Sequence, residues 1–170
     1  MADLYIRHSE KINRSETLQQ IIGSSSQIES SEIDSHNDSN CIYVALVGSD
    51  STGIGTQGQP FKTLNYAVSN MGGKSLLGIM DSNDYYLTAT INLSNISMFG
   101  HNAQSPTIKI DPNATGIDTL ISMTGNSKLT NIKIFVSDTF NDQLTAIAID
   151  NGSIKYVEVE GATKNAVHIL

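Results

Sequence analysis

Apolar residues recur with two different periods along this chain of 170 residues, and the period changes near residue 72. Ile42-Tyr43-Val44-Ala45-Leu46-Val47 is an unbroken apolar run, rich in the β-branched and aromatic types that suit a pleated strand. Residues 48–59 follow with four glycines and no hydrophobic period, a turn-forming stretch. Pro60 stands where a helix can begin, because a first-turn residue does not miss its N–H. Behind it Phe61, Leu64, Val68 and Met71 fall on one stripe of a short helix. The predicted order is strand, glycine loop, amphipathic helix.

Beyond residue 75 the period is two. Residues 76–80 read as a strand, 81–84 as a turn, and 86–93 alternate cleanly. From there a template recurs: apolar, two residues, apolar, one residue, apolar. It occurs at Leu93-Ser94-Asn95-Ile96-Ser97-Met98, at Leu129-Thr130-Asn131-Ile132-Lys133-Ile134 and at Ile154-Lys155-Tyr156-Val157-Glu158-Val159, with offsets of 36 and then 25 residues. The second offset suits one coil of a stack; the first needs an insertion, assigned to 104–116. Short strands are expected between the copies at 107–110, 120–123 and 146–149, and another begins at 167. Inward positions are Ile96, Met98, Ile132, Ile134, Ile147, Ile149, Val157 and Val159, with Ser97, Lys133, Lys155 and Glu158 outward. Turns are marked at Gly100, Gly125-Asn126, Asn151-Gly152 and Gly161. Stacked coils of short parallel strands and an antiparallel sandwich both fit such alternation; the repeated template favours the stack.

The first forty residues differ. Residues 1–22 carry a patchy apolar face (Ile12, Leu18, Ile21, Ile22) and read as an anchor segment. Residues 23–40 are a linker crowded with serine and acid, with almost nothing to bury. The opening strand and helix occupy 41–75 and the coils 76–170. At the far end Leu170 follows an apolar strand without a polar cap. The expectation is that such coils continue in a longer chain, with a partner that covers the end as the alternative, since solenoid ends need covering.

Charge narrows the partners. The net charge of −7 and pI near 4.8 argue against nucleic acid or an anionic membrane surface. No stretch is long and apolar enough for membrane insertion, and residues 1–8 show no apolar run of secretory length. One cysteine, Cys41, excludes an internal disulfide framework.

Candidate chemistry is sparse. Gly53-Ile54-Gly55-Thr56-Gln57-Gly58 matches G-x-G-x-x-G, with Asp81 at a distance suited to a ribose-binding acid. The polar stretch 48–52 separates it from the strand, and no βαβ alternation follows, so the context fails. Gly72-Gly73-Lys74-Ser75 echoes a phosphate loop but follows a helix. His8, His36, His101 and His168 are scattered without metal-ligand spacing. Asp50 is placed to bond its own turn. Asp150, Glu158 and Glu160 are the carboxylates a glycosidase or calcium-assisted lyase would need, with Lys155 and Lys164 as nearby bases. Solvated outer-face acids are the commoner arrangement. No residue is assigned a catalytic, cofactor-binding or metal-ligating role.

The pattern YV-A-x-x-GSDS-TG-x-GT…PFKTLNYAV over 41–71 resembles the opening segment of right-handed parallel β-helix proteins of the pectate-lyase-like group. That group includes secreted polysaccharide lyases and many bacteriophage tailspikes and fibres. The resemblance implies an all-β fold: a right-handed parallel β-helix with a short N-terminal capping α-helix, preceded by a flexible anchor and linker. It further implies a virion structural protein, the particle-proximal part of a tail fibre or tailspike, assembled in the host cytoplasm. A homotrimer is expected, with residues 1–22 docked to a baseplate or other particle protein and a downstream region on a host surface glycan. No cofactor is expected. The alternative is a polysaccharide lyase or glycoside hydrolase acting on acidic or capsular glycan, for which calcium would bridge protein and polyanion.

Overall fold

The computed structural model describes residues 38–137, 144–161 and 165–170. The chain divides into two units, Met1–His36 and Asn37–Leu170. The anchor (1–22) and nearly all of the linker (23–40) lie outside the described residues, as does Lys164.

The second unit is all-β, with parallel sheets. Its opening strand is β1 (Cys41–Val44), and the helix is α1 (Leu64–Ser69). Then come β2 (Leu76–Ile79), β3 (Asp84–Leu87), β4 (Ile91–Ser94), β5 (Ser97–Gly100) and β6 (Thr107–Ile110). The rest are β7 (Thr119–Thr124), β8 (Ser127–Val136), β9 (Thr145–Ile149), β10 (Gly152–Gly161) and β11 (Asn165–Ile169). One sheet has the order β1-β2-β5-β8-β6-β3 with β10 also on β8, and the other runs β11-β9-β7-β4.

Every described strand pair is parallel, and the register explains the sequence pattern. β8 is long enough to serve two neighbours, pairing with β5 through Lys128–Thr130 and with β6 through Lys133–Phe135. Between these limbs stands Asn131, with φ 54°. β10 repeats the bend at Tyr156 (φ 53°), and its flanking residues pair with those of β8. Asn95, between β4 and β5, has φ 56°. These three are the third residues of the three template copies, so the template encodes a corner. A strand with period two keeps its apolar side inward through a bend only if one extra residue is inserted there. That residue takes the left-handed conformation, which asparagine tolerates better than most types.

This corrects the expected offset of 36. The copy at 93–98 crosses the β4–β5 corner, whereas the copies at 129–134 and 154–159 cross the corner inside β8 and β10. Leu93 in fact pairs with Met123 and Met98 with Leu129, while Ile154 pairs with Leu129 at the expected interval. The stretch 104–116 is accordingly no mere insertion, because it contains β6. The alternating run 86–93 is divided between β3 and β4 by residues 88–90.

Register gathers the inward side chains into columns. Ile42, Leu77, Met98, Leu129 and Ile154 stand in one, and Ile91, Ile121, Ile147 and Val167 in another. All except the last in each column, Ile154 and Val167, belong to one apolar core that also takes in Leu87, Ile108 and Ile134. Exposure is 0% at Leu129 but 38% at Ile154, and rises from 8% at Ile149 to 75% at its partner Ile169. Val157 and Val159, assigned inward, are only half-buried, because no described strand packs beyond β10.

The helix is shorter than its stripe suggested. Thr63 is the N-cap, its hydroxyl accepting from the Tyr66 N–H, so Pro60 lies outside the helix. Phe61 instead forms a parallel bridge with Val44, and its ring stays buried. Its N–H donates to the Tyr43 carbonyl (3.0 Å) and its carbonyl accepts from Ala45 (3.0 Å). Together with the Gly55 carbonyl on the Tyr43 N–H (2.9 Å), this closes the free edge of β1, a site of unwanted pairing if left open.

Two outcomes test this account by denaturant unfolding. Ile121→Ala removes a side chain buried at 0% and should cost about 3 kcal/mol, whereas Ile154→Ala at the exposed end should cost less than about 1 kcal/mol. Asn131→Ala should cost about 1 kcal/mol through the left-handed corner, and Tyr156→Asn should add about 0.5 kcal/mol by relieving the same strain.

Candidate functional surface

The two glycine motifs prove structural. In residues 48–59 the amides that would have to face a phosphate are already used. Gly53 donates to Ser49 O (3.0 Å), Ile54 and Gly55 both to Gln59 O (3.0 Å), and Ser51 and Thr52 to the Ser49 hydroxyl. Gly48 and Gly53 are required by close packing: a Cβ there would lie 2.4 and 2.3 Å from backbone oxygens of Phe61 and Ser49. At Gly72-Gly73-Lys74 the lysine ammonium donates to the Cys41 carbonyl (3.0 Å), tying the turn to β1.

The acids of this end are occupied as well. Asp50 does not bond its own turn. It reaches across, accepting from the N–H groups of Lys62 (2.8 Å) and Thr63 (3.1 Å) and from the Thr63 hydroxyl (2.7 Å). A carboxylate thus fills the start of the helix, where a dinucleotide fold would hold pyrophosphate. Asp81 accepts from Leu46 N–H (2.9 Å), Asn83 N–H (3.2 Å) and the Tyr85 hydroxyl (2.8 Å). Burial first, then the hydrogen bond to and the charge of Asp81, push the Tyr85 phenol well above its ordinary value. It therefore remains a proton donor to Asp81.

The other candidates are dispersed. The His101 ring meets Tyr43 edge-on at 5.3 Å, and His168 lies exposed in β11 opposite Ala148. Asp150 sits in the turn before β10, its N–H on Met123 O (3.0 Å), while Glu158 and Glu160 lie past the corner at Tyr156. Lys155 lies on the near limb, its ammonium 5.3 Å from the Tyr156 ring centre. Among the described residues no group of three or more His, Cys, Asp or Glu is placed to hold a metal ion. No described helix is long and apolar enough to cross a membrane.

What the sequence did not bring together is the outward face of the limb β3-β6-β8-β10, although Lys133 and Glu158 were assigned outward. Register aligns Tyr86, Lys109, Phe135 and Glu160 in one column, with Asp84, Thr107, Lys133 and Glu158 beside it. Tyr86 is 50% and Phe135 38% exposed. With strands about 4.8 Å apart, the two rings stand about 10 Å from each other across Lys109. The Lys109 ammonium is 2.6 Å from Asp84 Oδ2 and 5.3 Å from the Phe135 ring centre. Lys133 pairs with Glu158 at 3.0 Å. The hydrogen bond and charge of Lys133 hold the Glu158 carboxyl below its usual range, and Glu158 in turn holds the ammonium above its own. Both are solvent-exposed, so the pair fixes side-chain positions more than it stabilises the fold. The available signal was an aromatic at outward parity: Tyr86 and Phe135 break the alternation of their strands.

Comparison of the chain with protein-family models, with curated proteins and with solved structures finds no match in any of the three.

Asp50→Ala should cost about 2 kcal/mol, because it strands two amides and a hydroxyl, and should lower the helical signal in hydrogen exchange at 64–69. Tyr85 generates a pH prediction. Its raised value means its contribution is complete below the ordinary 10.0 and lost as pH rises beyond it, towards the raised value. Unfolding midpoints should therefore fall above that pH, and fall less steeply in Tyr85→Phe.

Proposed function

We propose that the described unit is the start of a right-handed parallel β-helix, and that the chain is a virion structural protein. In this reading it is the particle-proximal part of a phage tail fibre or tailspike, attached through residues 1–22 and presenting a host-binding region. The observation that carries the proposal is the unbroken parallel register. The chain passes in turn through the limb β2-β5-β8, the limb β3-β6-β8 and the sheet β4-β7-β9, then returns beside its previous pass around one core. Such a stack is stiff, because each strand is held by its neighbours and the inner positions of the columns share one apolar core. Asp50, Asp81 and the two glycine motifs serve the fold, which suits presentation better than chemistry. The resemblance at 41–71 supports the same assignment, with a homotrimer as the working assembly and the virion as its location.

A second reading is favoured by one observation, the outward column with Tyr86 and Phe135. Exposed aromatic faces flanked by carboxylates and lysines are suited to an extended glycan, as the depolymerase alternative requires. That alternative needs a pair of carboxylates about a substrate bond, and calcium if the glycan is a polyanion.

Light scattering on residues 1–170, repeated after deletion of 1–40, separates the two. A trimer that survives the deletion supports the fibre. A monomer that releases unsaturated sugars from acidic polysaccharide in the presence of calcium overturns it in favour of the enzyme.

A further inference from the structure

Asp111-Pro112 is the only Asp-Pro pair in the chain, and it opens the turn that leads from β6 towards β7. We infer that this bond is a site of self-cleavage in the folded protein. Under mild acid the Asp111 side chain severs the backbone on its own C-terminal side.

The geometry of the turn carries the argument. The Asp111 N–H donates to the Leu87 carbonyl (2.9 Å), so the chain is held to the ladder up to the reacting residue. The Ala114 N–H donates to the Asp111 carbonyl (2.9 Å), closing a turn with Pro112 and Asn113 at its centre. One carboxylate oxygen, Oδ1, accepts from the Asn113 N–H (2.8 Å) and from its side-chain amide (3.2 Å). Among the described residues nothing bonds the other oxygen, Oδ2. Two donors thus fix the carboxyl over its own turn and leave one oxygen as the nucleophile. The Ala114 N–H remains on the carbonyl oxygen, where negative charge develops during attack. Pro112 and Asn113 are exposed, so solvent reaches the prolyl nitrogen.

Proline is the leaving group the reaction needs, because a tertiary amide nitrogen takes up a proton more readily than a secondary one. Asp81 provides the contrast within the same molecule. Its Oδ1 likewise accepts from the N–H two residues on, that of Asn83 (3.2 Å). Its Oδ2, however, is taken by the Leu46 N–H (2.9 Å), and Ser82 follows in place of proline. The described ion pairs, Lys109–Asp84 and Lys133–Glu158, leave Asp111 aside.

The bonds balance in two steps. Asp111 Oδ2 bonds to the Asp111 backbone carbonyl carbon, and the bond from that carbon to the Pro112 nitrogen breaks. The nitrogen keeps the electron pair and takes a proton from solvent, while Asp111 is left as a five-membered cyclic anhydride. Water then opens the anhydride to a C-terminal aspartate. The net change is one water consumed and one peptide bond lost. Both fragments remain in the fold: β8 of the second lies between β5 and β6 of the first, and β7 pairs with β4. They also share one core.

The test is incubation of the 170-residue protein in mildly acidic buffer, at a pH where amide exchange still shows β6 and β7 protected. The same chain in urea at that pH is the reference. Intact mass and denaturing electrophoresis should show fragments 1–111 and 112–170, whose masses sum to that of the chain plus one water. Under native conditions the two should elute together. Cleavage in the folded chain should be no slower than in urea, because the turn already holds the carboxyl in place. It should quicken about tenfold per unit fall in pH while the carboxyl stays ionised. Pro112→Ala should abolish it, and Asn113→Ala should slow it about threefold in the folded chain while leaving the rate in urea unchanged. A folded rate more than about threefold below that in urea, cleavage elsewhere first, or no effect of Asn113→Ala would overturn the proposal.

Discussion

The structure depends on a corner that a strand can turn without exchanging its faces. Alternation alone would carry an apolar side chain outward at any bend of even count. Inserting one residue in the left-handed region rotates the backbone and restores parity, as at Asn131, where Leu129 and Ile132 on either side are both buried. The columns of the core follow from this, since each pass must deliver its apolar residues at the same heights. So does the long run of β8, which holds two limbs of the sheet together through one chain.

Polar groups near the corners are bonded to backbone. Ser127 is fully buried, yet its hydroxyl lies 2.7 Å from the Thr124 carbonyl and 3.0 Å from that of Leu93, and accepts from the Ile96 N–H at 3.3 Å. One proton is shared between two carbonyls, and a strand start is joined to the end of the previous pass. Asn95, Asp50 and Asp81 do similar work elsewhere. The polar inventory of this end of the molecule is consumed in holding turns to strands, which is why motifs with a functional look turn out to be structural.

Much of the fold was legible because two signals are local. Alternation located most strands, and the inward set from Ile96 to Ile149 was read correctly from parity. The recurring template was real, but its meaning was not accessible from spacing. Two corners of different kinds share the same local pattern, and only pairing distinguishes Leu93 on Met123 from Met98 on Leu129. The helix was over-extended because Phe61 fits a helical stripe and a strand bridge equally well. Asp50 was misplaced because its partners lie a dozen residues away, beyond the reach of turn rules. The outward column of Tyr86, Lys109 and Phe135 was missed for a related reason: each aromatic breaks parity locally, but the members meet only through register.

The corner between the two limbs is crossed by residues 80–83 in one pass, by 101–106 in the next and by Asn131 alone in the third. Strand pairing on both sides is undisturbed by these differences. Chain length at that edge is therefore decoupled from the packing inside, and the two can vary independently. Such an edge can acquire or lose whole loops, and with them new surface chemistry, without renegotiating the core.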